Sequence, residues 1–249
     1  MIGRMLSAAS SVLVQFVRPS AAYRTLSDPL GALVATAAAA AVIAGAGFLP
    51  VSFTDWDQVG ARLSEERAPE LAREGLSPAQ ADSALAVELD AMRSFAGSFP
   101  MSMLLERSVI ALIAALAAFG IAYAVEGAKV GRIGDYVTSS MLSQAAYSIT
   151  ASMIFLAALA VRLPGDLPLS LAAFVPTDTP DPGRLHVFLY RFLGSFDPPS
   201  AVSVLLWGPG LATLSGRDRG WGIRLCFSVF LLGALMISLP VMFAPSSPA

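Results

Sequence analysis

Residues 108 to 125 read SVIALIAALAAFGIAYAV, eighteen positions without a charged side chain. A helix of that length rises about 27 Å, close to the roughly 30 Å of a bilayer's hydrocarbon core. Four more uncharged windows accompany it, at residues 29 to 54, 136 to 161, 198 to 216 and 225 to 249. One such helix could form the core of a soluble domain, but a chain of 249 residues has too little interior to hide five from water. Bulk composition agrees: 14% of residues are charged and 55% hydrophobic, with mean hydropathy +0.67, where a soluble domain carries about 25% charged residues. The expected fold is an all-α, polytopic integral membrane helical bundle with about five transmembrane helices.

Charge around the windows sets an orientation. Arg4, Arg18 and Arg24 precede the first; Lys129 and Arg132 join the second to the third; Arg217, Arg219 and Arg224 join the fourth to the fifth. These short basic segments are expected on the cytoplasmic side, with the N-terminus inside. Residues 55 to 107, with ten acids against five arginines, and residues 162 to 197, with four acids against three arginines, fall on the other side. The expected organisation is therefore a cytoplasmic amphipathic segment at 1 to 28, a first span at 29 to 52, and an extramembrane helical loop at 53 to 106. Residues 107 to 249 then hold the second to fifth spans, with an interfacial segment at 163 to 197. The near-absence of lysine beside fifteen arginines and abundant alanine suits a GC-rich bacterial genome, hence a bacterial inner membrane.

At the N-terminus, Ser10, Ser11 and Gln15 interrupt the apolar run and Arg18 closes it, which disfavours a signal peptide. Leu6, Leu13, Phe16 and Val17, with Ala9 between them, instead make one apolar stripe of a short interfacial helix ended by Pro19. In the loop, a helix is expected from Asp57 to Glu74, interrupted at Pro69 and capped by Gly75. A second starts at Ser77, with Pro78 in the first turn and Gln80 as capping-box partner. Its stripe of Leu85, Leu89, Met92 and Ala96 is expected to pack on the first helix or on the membrane, in preference to a protein partner. Leu167 to Thr177 is too short to span and reads as interfacial, with a re-entrant hairpin, which leaves the span count unchanged, as the alternative. Leu185, Phe188, Leu189, Phe192 and Leu193 mark a further helical face.

Inside the spans, Ser140, Gln144, Tyr147 and Ser148 occupy neighbouring turns of the third, where such groups join helices by hydrogen bonds. The alanine-rich first span, with Gly45 and Gly47, reads as a packing surface. Gly208, Pro209 and Gly210 are expected to kink or break the fourth span, since proline removes a backbone donor. Broken helices build substrate sites in secondary transporters, so a permease or transporter subunit is the alternative function. No window holds an ionisable group at its centre, which disfavours ion coupling.

Chemistry is sparse. The single Cys226 and the single His186 lie far apart and supply neither a nucleophile-base pair nor a metal cluster. The run from Gly127 to Gly134 lacks the context of a phosphate loop. Glu66 and Glu70 sit on a charged helix where solvation is the ordinary explanation. No catalytic, cofactor-binding or metal-ligating residue is expected, and no cofactor. A net charge of −2 excludes a broad nucleic-acid footprint, leaving the lipid bilayer, other membrane proteins or a homo-oligomer as partners.

Three stretches carry a family resemblance. They are Val17-Arg18-Pro19-Ser20-Ala21-Ala22-Tyr23-Arg24 before the first span, Asp135-Tyr136 onward through Ala145-Ala146-Tyr147-Ser148, and Ser195-Phe196-Asp197 through Trp207, Gly210-Leu211 and Leu214-Ser215-Gly216. Together they resemble the Yip family of Ypt/Rab-interacting membrane proteins, in its bacterial branch. The Asp-Leu-Tyr-Gly-Pro signature of eukaryotic members is absent, and residues 55 to 107 lie outside the resemblance. It implies a five-span, non-enzymatic membrane protein, a scaffold or partner-binding element, and carries over no site residues.

Overall fold

The computed structural model describes residues 2 to 24, 26, 28 to 127, 130 to 161, 169 to 176 and 183 to 243. Among these, all regular structure is helical. In chain order the helices are α1 (Ile2–Val14), α2 (Pro19–Arg24), α3 (Pro29–Phe53), α4 (Trp56–Arg73), α5 (Pro78–Glu126), α6 (Ile133–Ala160), α7 (Arg184–Gly194), α8 (Pro198–Leu214), α9 (Arg219–Ser238) and α10 (Pro240–Phe243). A 3₁₀ turn at Leu171–Phe174 precedes α7. The chain divides into two compact units, one comprising the residues up to Ile43 and from Arg107 onward, the other Ala44–Glu106.

Among the described residues, four helices are long and apolar enough to cross a membrane: α3, α5, α6 and the 25-residue stretch Arg219–Phe243. Their packing is that of a bundle in lipid. On α5, Ala111, Ala115 and Ala118 are fully buried while Ile113 and Leu116 are 62% and 51% exposed. Small side chains turn inward and large apolar ones outward, which water would penalise and acyl chains favour. The chain is an all-α polytopic membrane protein.

The fourth window, expected as a span, becomes α8, whose 17 residues rise about 25 Å, short of the roughly 30 Å of a bilayer's hydrocarbon core. It is instead the inner helix of its unit, packed against α2, α6 and α9. Nor does it break at Gly208-Pro209-Gly210: α8 runs helical from Pro198 to Leu214, with Pro209 inside it and all three residues buried. Proline there costs one backbone hydrogen bond, and the glycines serve another end. A methyl on Gly208 would sit 2.7 Å from the Ile223 Cα, and one on Gly222 would overlap the Gly208 carbonyl. With Ala212 also against Gly222, α8 presents a Gly-x-x-x-Ala surface on which α9 closes to backbone contact.

The other expected interruption is absent as well. Pro69 lies within a continuous α4, exposed like Glu65 one turn earlier, so the carbonyl it leaves unbonded can take water. The helix opened at Ser77 continues through Pro100 into the apolar window, making α5 one helix of 49 residues. Local chemistry at the turn is as expected. Gly75 has φ +81°, and Gln80 Oε1 accepts from the Ser77 backbone N–H and hydroxyl, both at 2.9 Å.

Within Ala44–Glu106, α4 and the first part of α5 pack on one another. Leu63 and Leu71 are buried, Leu89 lies over Gly60, and the Arg93 guanidinium stands 5.8 Å from the Trp56 ring. Of the expected stripe, Leu89 is covered by its own hairpin, while Met92 stays exposed. Gly47, but not Gly45, marks a close approach, a methyl there lying 2.8 Å from the Pro100 Cα.

In the larger unit, α7 packs on α9 through a relay of rings: Phe188 to Phe192 at 5.9 Å, Phe192 to Phe196 at 5.3 Å, and Phe196 to Phe230 at 5.2 Å. Leu185 and Leu189, expected on the same face, turn outward. Of the interfacial segment, residues 162 to 168 and 177 to 182 lie outside the described residues. The part between is the 3₁₀ turn, tied to the start of α8 by the Leu171 N–H on the Phe196 carbonyl at 3.1 Å.

Candidate functional site

The polar residues of the larger unit gather at two places, a joint between helices and one end of the bundle. The joint begins on α1. Leu6, Leu13 and, in the turn that follows, Val17 face outward, while Ala8, Ser11, Val12 and Gln15 on the other side are buried to 2% exposure or less; α1 ends at Val14, ahead of the expected Pro19, which instead opens α2. Gln15 is fully used: its Nε2 donates to the Val12 carbonyl at 2.9 Å and to the Leu142 carbonyl of α6 at 3.0 Å, and its Oε1 accepts from the Tyr23 hydroxyl at 3.2 Å. The Tyr23 ring lies against Gly210, where any side chain would overlap it. Burial, and to a lesser degree the Cys226 thiol, pushes the Tyr23 phenol well above its usual range. It acts as a neutral donor.

A second part of the joint links α6 to α8. Trp207 Nε1 donates to Ser139 Oγ at 3.1 Å, and one turn on Ser143 Oγ lies 2.6 Å from Ser203 Oγ. Each helix thus offers a pair four residues apart, which places both members on one face. The tryptophan indole needs a partner when buried, and a serine hydroxyl needs one in an apolar bundle.

Of the four residues expected to join helices here, Ser148 bonds within its own helix, to the Gln144 carbonyl at 3.0 Å. Tyr147 lies beneath the Arg107 guanidinium, 3.9 Å from its ring centroid. Ser140 Oγ and Gln144 Oε1 are buried without a hydrogen-bond partner. The joint was therefore foreseen on the right helix but one residue out of register. Gln15, Ser139, Ser143 and Ser203 were missed. The signal that could have found the α6–α8 part is the repetition of a four-residue spacing, 139 with 143 and 203 with 207, in two successive apolar windows.

The end of the bundle is built from loops. Arg217 pairs with Glu126, and Trp221 Nε1 donates to the same carboxylate at 2.7 Å, joining the start of α9 to the end of α5. Arg219 reaches Ser20 Oγ on α2 at 3.0 Å. The N-terminal segment and the two short loops expected on the cytoplasmic side therefore meet at one end.

Chemically, these arrangements join helices and present arginine. Cys226 is buried and reduced. No group of three His, Cys, Asp or Glu side chains among the described residues is placed to hold a metal ion. No family model matches the chain, and none of the curated proteins or solved structures does.

Proposed function

We propose that this chain is a non-enzymatic membrane scaffold of Yip-like type, lying in a bacterial cytoplasmic membrane with its N-terminus inside, and that its work is to hold other membrane proteins or copies of itself. The observation that supports this is the use to which its buried polar groups are put. Gln15, Tyr23, Ser139, Ser143, Ser203 and Trp207 all bond across helices or to their own backbone, fixing the bundle instead of lining a path through it. The permease alternative drew on a broken fourth span, and α8 is continuous through Gly208, Pro209 and Gly210.

Affinity purification from native membranes in mild detergent is the test. A scaffold returns with stoichiometric partners or as a defined oligomer; a chain that repeatedly comes back alone and monomeric contradicts the proposal. For orientation, a cysteine placed at Asp82, on the exposed surface of α5, is expected to react with a membrane-impermeant maleimide in intact cells. Protection there, with labelling only after lysis, would reverse the topology.

A further inference from the structure

Two independent features converge on the end of the bundle where α2, the α5–α6 loop and the α8–α9 loop meet. The first is the outward stripe of α1. Leu13 and Val17 are 64% and 81% exposed, and Leu6 67%, although the helix is anchored from behind by Gln15 on the Leu142 carbonyl. The helix is therefore held in place with its apolar side uncovered.

The second is a charge imbalance. Arg18, Arg132, Arg219 and Arg224 are exposed there. Across residues 1 to 28, 126 to 135 and 217 to 224, eight basic side chains stand against four carboxylates, each of which also holds a hydrogen bond. Asp28 accepts from the Gly31 N–H at 2.7 Å, Asp218 from the Trp221 N–H at 2.9 Å, and Asp135 from the Arg132 N–H at 3.4 Å. Glu126 is taken by Arg217 and Trp221. What this end shows to its surroundings is a surplus of exposed guanidinium groups, and the apolar stripe leads into it, since Ser20, only three residues beyond Val17, touches Arg219 at 3.0 Å.

We infer that this end is a binding surface for anionic phospholipid, with the α1 stripe among the acyl chains of one leaflet and the arginines on the headgroup phosphates. The chemistry fits both parts. Guanidinium groups bind phosphate oxygens in forked pairs, and an amphipathic helix lies at the depth where headgroup and chain meet. A second copy lies in the membrane in the same orientation and would bring the same end, where basic side chains outnumber acids eight to four. The inference rests on the membrane-spanning reading, but not on the scaffold role.

The test is native mass spectrometry of the full chain released from bilayers containing equal phosphatidylglycerol and phosphatidylcholine. We expect phosphatidylglycerol to be retained about fivefold or more over phosphatidylcholine, the effect of a single well-placed arginine at an anionic surface. The variant Arg18→Gln/Arg132→Gln/Arg224→Gln should bring the two lipids to parity while its helical content and unfolding midpoint in zwitterionic detergent stay unchanged. Equal retention by the unmodified chain overturns the inference, as does a preference that survives the triple substitution. Displacement of the lipid by millimolar inorganic phosphate would also overturn it, by revealing a site for soluble anions. A second arm reads the stripe. Cys226 is buried and stays unlabelled, so a nitroxide on Leu13→Cys reports that position alone. Greater accessibility to oxygen than to a water-soluble nickel chelate is expected; the reverse, or spin-spin broadening between copies, contradicts lipid as the occupant. Loss of a protein partner in the affinity experiment leaves both arms intact, so failure of the scaffold proposal is distinguishable from failure of this one.

Discussion

In the Ala44–Glu106 unit, Arg67 reaches Glu70 and, at 3.6 Å, Glu88, with side chains 43%, 53% and 38% exposed. In the larger unit, Gln15, Ser139 and Ser143 make their bonds at 1% exposure or less. The first set exchanges water for a partner at almost no gain, because screened ion pairs on a surface contribute little. The second set has no water to fall back on. A lost partner there leaves a desolvated group, so four or five neutral bonds hold the bundle more firmly than the ion pairs of Arg67 hold the hairpin. Net charge and ion-pair count thus say little about where the stability of this chain resides; burial of the polar atoms says more.

That contrast can be broken most forcefully where backbones touch. Gly222→Val forces side-chain atoms onto the Gly208 carbonyl and Ala212, and should cost about 3 kcal/mol or more, seen as loss of folded protein in a detergent-stability assay. Near-normal unfolding would mean that the α8–α9 contact is loose. Next in size is Tyr23→Phe, which strands Gln15 Oε1 and should cost about 1 to 3 kcal/mol in equilibrium unfolding from mixed micelles. Adding Gln15→Leu should cost less than the two single changes together, since both ends of the bond then disappear. Smaller again is the coupling of Ser139→Ala with Trp207→Phe. A double-mutant cycle should return about 0.6 kcal/mol, the usual value for a hydrogen bond between helices in lipid. Smallest is Arg67→Gln, which should leave the unfolding midpoint where it was; a clear drop would erase the distinction between the units.

The spans were legible because bilayer thickness imposes an uncharged length that no local preference can disguise. The Gly75, Ser77 and Gln80 turn was legible because its chemistry is contained within six residues. What escaped depended on partners distant in sequence. Pro209 reads as a helix breaker, yet α8 runs through it, and Gly208 reads as loosening when its use is to admit Ile223. Gln15 looks like a flaw in an amphipathic stripe unless the Leu142 carbonyl is known to stand behind it. On α6, Thr138, Ser139, Ser140, Ser143, Gln144 and Ser148 spread around more than one face. Only the position of α8 decides that 139 and 143 form the joint while 140 and 144 do not.

The account turns on one helix, α5, lying in water over its first part and in lipid over its last. Val87 and Ile113 are both largely exposed, at 71% and 62%, so the protein itself shields neither. Cysteines placed there one at a time, in membranes opened so that reagent reaches both sides, should separate sharply. The account predicts rapid reaction of Val87→Cys with a charged maleimide and none of Ile113→Cys until detergent is added. Equal reaction at the two positions would show that Ile113 faces water, and would contradict a membrane-spanning bundle.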